Sequence, residues 1–158
     1  MGVFFICPRP VVLVTAGYCE TSNIFPMNLM GAIGRGYFAF ALTTGREATL
    51  LIERCRRLAL SVIPIEHERL AYELARNHRK ERVDWSQLPF PTKSSTLLDL
   101  RVPQFAPHVT EMQVEAVRNM GSHTLFVAKI LHEEHSSDEL NFFMVHGIYN
   151  TWRQRTQQ

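Results

Sequence analysis

A chain of 158 residues with a formal charge of +2, 46% apolar and 20% charged, has the make-up of one folded domain with enough apolar material for a core. A pI near 8.6 with scattered arginines lacks the concentrated basic stripe of a nucleic-acid binder. Cys7, Cys19 and Cys55 have no CxxC spacing, so neither a disulfide framework nor a zinc site is expected, and reduced thiols in a cytoplasmic protein are the simplest account. The apolar opening Val3-Phe4-Phe5-Ile6 is too short, and too soon interrupted by Pro8 and Pro10, for a signal peptide or a membrane span.

Residues 10–16 are β-branched and almost wholly apolar, which predicts a strand covered on both faces. Gly17 to Ser22 reads as a turn. A second strand begins near Asn23, and Pro26 inside it demands an edge or a bulge because proline cannot donate to a ladder. Glycines 31, 34 and 36 lead into an aromatic strand over 36–42. Their G-x-x-G-x-G order reverses the dinucleotide fingerprint and precedes a strand, which excludes a Rossmann unit. Residues 47–55 have helical composition, and Arg57 to Pro64 reads as another strand. Glu66 to Asn77 reads as one short amphipathic helix with Leu70, Ala71, Leu74 and Ala75 along one face. From His78 to Pro107 the chain is basic and then rich in Pro, Ser and Thr, a connection long enough to cover a site or a partner. Strands follow over 110–119, with Met112, Val114 and Ala116 on one face, over 124–131, and over 140–145 before His146-Gly147. His132-Glu133-Glu134-His135 lacks H-E-x-x-H spacing and reads as part of a polar turn over 133–139, not a metal site. Strand-rich halves around a helical middle predict a mainly β fold, a closed or nearly closed antiparallel barrel with added helices, in a single domain over 1–158.

Within this order, Thr43-Thr44-Gly45-Arg46 stands where a buried strand delivers its end to a helix. Free N–H groups, the positive end of the helix dipole and a guanidinium that can fork onto oxygens make such a turn an anion site. Thr49, three residues after Arg46, faces the same helix end. The alternative is a capped turn in which Thr43 or Thr44 is the N-cap and Arg46 is solvated.

Four pieces, in order, resemble the flavin reductase-like family, the FMN-binding split β-barrels. Pro8-Arg9-Pro10-Val11-Val12-Leu13-Val14-Thr15 is similar to the opening strand of that family, and the Asn23 segment stands where its second strand begins. Leu42-Thr43-Thr44-Gly45-Arg46-Glu47-Ala48-Thr49 resembles its phosphate turn, and Gly121-Ser122-His123-Thr124 its later Gly-x-His turn. His146-Gly147 matches a frequent terminal His-Gly. The chain departs from the family at Gly34-Arg35-Gly36, at Pro26-Met27-Asn28 and at Ser122, where a proline turn, a hydroxyl-rich run and an aspartate are common.

The resemblance implies an FMN-binding flavoprotein, an NAD(P)H:flavin oxidoreductase that passes hydride from a nicotinamide to flavin and electrons onward to free flavin, iron or a protein partner. It implies that Asn23, Ile24, Phe25, Pro26, Met27 and Asn28 lie along the flavin, that Leu42, Thr43, Thr44, Arg46 and Thr49 surround its phosphate, and that His146 lies near it. His123 is the candidate for ring contact or proton transfer. His123 and His146 each carry the alternative of a structural histidine. Trp85, Phe90, Tyr149 and Trp152 are candidates to stack on flavin or to cover a seam between two copies of a homodimer. Two alternatives stay open: an electron carrier reduced by a partner protein, or a barrel that has lost its flavin.

Overall fold

The computed structural model describes residues 9–18, 20–28, 30–136 and 144–145. The first half of the chain carries β1 (Arg9–Pro10), β2 (Val12–Tyr18), β3 (Thr21–Met27), β4 (Met30–Ala32), β5 (Tyr37–Thr43), helix α1 (Glu47–Cys55) and β6 (Arg57–Val62). Helix α2 (Arg69–Glu73) follows, then β7 (Thr92–Ser94), β8 (Arg101–Pro103), β9 (His108–Asn119), β10 (His123–His135) and β11 (Met144–Val145), the last paired with β1. Among the described residues the main sheet runs β3-β2-β6-β9-β10-β5-β4, every pair antiparallel. Its two edges, β3 and β4, are consecutive in the chain. Three residue steps from Met27 to Met30 span at most about 11 Å, so the sheet must curl until its edges meet at that corner. The result is the antiparallel barrel with added helices.

The alternation along β2 explains its unbroken apolar run. Val12, Val14 and Ala16 point into the barrel with Phe25, Met27, Phe40, Phe126 and Met112, while α1 closes one end with Ala48, Leu51 and Ile52. Phe40 and Phe126 are directly paired across β5 and β10 and stack with centroids 4.9 Å apart. Val11 and Leu13 face outward, yet are buried under Leu70, Ala71 and Leu74. The second outer face, around Ala59 and Val109, is roofed by Leu100, Val102 and Ala106. The long connection of the sequence is therefore a cover for the barrel's outside, organised by the β7–β8 hairpin and a turn over 96–98. Glu111, buried in β9, holds that turn: its carboxylate accepts from Ser95 Oγ (2.6 Å) and from the Leu97 (2.9 Å) and Leu98 (2.6 Å) amides.

Four local expectations change. The expected turn over 17–22 is a tight hairpin, because Gly17 stays in the ladder opposite Ser22. The single helix over 66–77 is broken into a 3-10 turn at Ile65–His67, α2, and a second 3-10 turn at Ala75–Arg79. Ala116 leaves the core, since a bulge between the Val127 and Ala128 pairings inserts an extra β9 residue and turns Ala116 outward. The segment 132–135 remains strand, because β9 starts at His108 and pairs with it residue for residue. Only Met144 and Val145 of the expected last strand lie within the described residues, and no described helix is long and apolar enough to cross a membrane.

Candidate functional site

The site begins where β5 runs out. Gly45, in the left-handed region at φ 74°, turns the chain, and α1 starts with Arg46 as an extended N-cap that receives no side-chain capping bond. Neither Thr43 nor Thr44 is the cap. Thr43 uses its carbonyl to accept the Thr49 hydroxyl (2.8 Å), which stitches the turn from beneath. Thr44 is tied sideways to the β9–β10 hairpin, its amide to Ser122 O (3.0 Å) and its hydroxyl to Thr124 Oγ1 (3.2 Å). That tie, together with the Thr43–His123 pairing, places His123 beside the turn. The first-turn amides of α1 have no intrahelical acceptor and lie at the positive end of the dipole.

Facing this turn is a strap, residues 75–83, laid along the outer edge of β3. An edge strand exposes a row of carbonyls that must be satisfied. Here the three outward carbonyls at alternate positions each receive one donor: Ser22 O from the Val83 amide (3.0 Å), Ile24 O from Asn77 Nδ2 (2.8 Å), and Pro26 O from His78 Nε2 (2.7 Å). Asn23 Nδ2 returns two bonds, to Asn77 O (2.9 Å) and Lys80 O (2.6 Å). Pro26 suits this edge because it has no outward N–H to satisfy. A carbonyl can only accept, so His78 carries its proton on Nε2. Burial holds the His78 imidazole below its ordinary pKa. The Pro26 bond opposes that shift, and the Arg46 charge adds to it. The ring also packs against Phe25, centroids 4.7 Å apart.

Between turn and strap lies a cavity of about 340 Å³. Its walls are Pro26, Met27 and Asn28 from the end of β3, and Ala41, Leu42 and Thr43 from β5. Arg46 comes from the turn, His123 from the hairpin, and Ala75, His78 and Arg79 from the strap. Among the described residues, two arginines and two histidines face it and no carboxylate does. Elsewhere the cavity walls are mixed: Glu20 and Asp84 stand with Arg82 and Arg101 in a space of about 550 Å³, and Glu73 and Asp84 line a third. The described wall, with cations and no acid, fits an anion.

Seven of the residues singled out in the sequence therefore converge: Pro26, Met27, Asn28, Leu42, Thr43, Arg46 and His123. Others do not. Asn23 clamps the strap, Ile24 packs in the outer core, and Phe25 fills the barrel. The Thr44 hydroxyl is engaged by Thr124 on the β9–β10 hairpin, and that of Thr49, fully buried, by Thr43 O within the turn. Trp85 donates to Ser22 Oγ (2.8 Å) and packs with Phe90 over the outer core. His146, Tyr149 and Trp152 lie outside the described residues. His78 and Arg79 were not legible as site residues. Their only signal was a polar Asn77-His78 pair closing an otherwise apolar helical face. Among the described residues no group of three or more His, Cys, Asp or Glu is placed to hold a metal ion.

A family model described as "Flavin reductase like domain" matches residues 4–153. No curated protein matches the chain. Among solved structures, an FMN-binding protein from Thermus thermophilus superposes with a TM-score of 0.79 at 19% identity, covering 93% of this chain and 86% of that one. BorF, the flavin reductase component of a bacterial two-component tryptophan halogenase, does so at 0.80 and 17%, covering 92% and 91%. The styrene monooxygenase flavin reductase of Pseudomonas putida S12 follows at 0.69 and 18%, covering 84% and 82%. At these identities the likeness is one of fold.

Proposed function

Since the chain belongs to the flavin reductase-like family, we propose that it is an FMN-binding NAD(P)H:flavin oxidoreductase whose flavin lies in the cavity between the β5–α1 turn and the β3 strap. The observation that carries this reading is the cavity's wall, cation-lined and without a carboxylate among the described residues, at a helix N-terminus with no side-chain cap. Arg46 and the first-turn amides of α1 hold the phosphate, a charge-assisted pairing at the positive end of the dipole. Pro26, Met27 and Asn28 offer an apolar edge and an amide to the ring system, and Leu42 and Thr43 form the opposite wall. His123 is partly exposed beside Thr43, with Nδ1 at 3.0 Å from Ser122 Oγ, and is positioned to exchange a proton at the cavity mouth. Bound flavin supplies the redox chemistry, accepting hydride from a nicotinamide and releasing electrons to free flavin, iron or a protein partner. The same reading makes the protein a single-domain cytoplasmic homodimer.

The visible absorption spectrum of the purified protein, with and without added FMN, tests the site. About one flavin per subunit is the expected outcome; a protein that stays colourless and fails to bind FMN refutes the reading. Anaerobic addition of NADH or NADPH tests the reaction. Bleaching of the bound flavin by either supports it, and no reduction by both leaves a flavoprotein without nicotinamide turnover.

A further inference from the structure

We propose that Arg79 is a second anion-contact residue of the cavity, delivered opposite Arg46 by the strap and held on target by His78, and that it makes the site prefer flavins bearing a phosphate over flavins without one. This rests on the flavin reading above.

Three observations converge on it. First, Arg46 and Arg79 come from different elements, both line the cavity, and neither guanidinium has a hydrogen-bond or ion-pair partner among the described residues. Some other arginines are engaged, Arg54 with Glu81 (3.0 Å), Arg57 with Leu98 O (2.7 Å) and Arg101 over the Trp85 ring, so what sets Arg46 and Arg79 apart is that both line this cavity. Second, the acid nearest Arg79 in sequence, Glu81, is turned away toward Arg54 on α1. Among the described residues, no carboxylate in the wall balances the two guanidiniums. Like charges facing one cavity repel, and Arg46 already acts on His78, which lies within the same wall. An anion between them relieves that repulsion. A phosphate monoester carries about 1.5 to 2 negative charges near neutrality, more than one guanidinium balances and close to what two supply.

Third, the strap is not a loose loop. Its bonds to Ser22, Asn23, Ile24 and Pro26 fix residues 77 to 83 along β3. His78 makes the bond nearest the cavity, to Pro26 O, and so sets the backbone from which Arg79 projects. His78 is thus a positioning residue, and Arg79 the contact.

Dissociation constants for FMN and for riboflavin, which lacks the phosphate, separate the roles on the full-length protein. Arg79→Ala is expected to weaken FMN by about tenfold or more, the scale of one charge-assisted contact, and to leave riboflavin unchanged. Arg79→Lys recovers part of the loss. His78→Leu lowers the FMN-to-riboflavin preference, and His78→Gln, whose amide can still donate to Pro26 O, restores it. A preference unchanged in Arg79→Ala, or FMN and riboflavin weakened equally, overturns the assignment of Arg79 alone. Equal weakening in His78→Leu removes the positioning role. A wild-type protein that binds neither flavin overturns this assignment together with the flavin reading beneath it.

Discussion

Asn77 is the residue on which the strap's attachment turns. It is buried, it donates from Nδ2 to Ile24 O at 2.8 Å, and its own carbonyl accepts from Asn23 at 2.9 Å. Replacing it with alanine leaves the backbone bond possible and orphans Ile24 O, a carbonyl on a residue with no solvent exposure. An unsatisfied buried acceptor costs about 1–3 kcal/mol. Taking about 2 kcal/mol, the midpoint of thermal unfolding should fall by about 4–8 °C in a protein of this size. Asn23→Ala should cost less, despite losing two bonds, because Asn23 Oδ1 is itself buried without a partner and its removal eliminates that penalty. If the strap releases as a unit, Asn23→Ala/Asn77→Ala should cost less than the sum of the single changes. Urea unfolding monitored by fluorescence measures all three, with an unchanged m-value as the check that only stability has moved. An Asn77→Ala cost below about 0.5 kcal/mol, the range of an ordinary surface change, would refute the clamp.

Three further outcomes follow from the same structure. Gly17→Ala should destabilise by about 1–3 kcal/mol in the same urea assay, since its φ of 151° is unfavourable for a side chain and an added Cβ would sit 2.5 Å from Ser22 Cα. Glu111→Ala should cost at least about 3 kcal/mol and raise protease cleavage in the 95–100 turn, because it strands the Ser95 hydroxyl and two amides together. His78 has a folded-state pKa below its unfolded value of 6.5, so the unfolded chain takes up the proton first. Its contribution is then constant at higher pH, and stability falls as pH drops through about 6.5 toward the lowered value. Thermal midpoints across pH 5–8 should show His78→Gln losing part of that acid sensitivity; identical slopes for the two proteins would refute it.

Much of the barrel was legible because its physics is local. β-branched and aromatic runs produce β2 and β5, a helix-forming run after Gly45-Arg46 produces α1, and Pro26 confines its strand to an edge. Arg46 was readable for the same reason, since a strand-turn-helix with a glycine at its corner leaves amides and a guanidinium together whatever surrounds them. Periodicity could not show which side of a turn each hydroxyl serves. Thr49 faces the expected helix end, yet its hydroxyl is bound to Thr43 O, and Thr44 is held by a hairpin eighty residues away in the chain.

The strap is where sequence reasoning stopped. Leu70, Ala71 and Leu74 announce an amphipathic helix, but the α-helix ends at Glu73. The chain tightens into a 3-10 turn over Ala75–Arg79, and that segment supplies donors to edge-strand carbonyls more than fifty residues earlier. The choice between helix and 3-10 turn is worth little locally, whereas each orphaned carbonyl costs on the order of 1 kcal/mol or more, so the partner strand decides it. The sequence by itself determined the longer strands, the strand-to-helix turn at Gly45-Arg46 and the family. Only tertiary structure decided that His78 and Arg79 complete the cavity, because their placement depends on unpaired groups of β3 that no local pattern records.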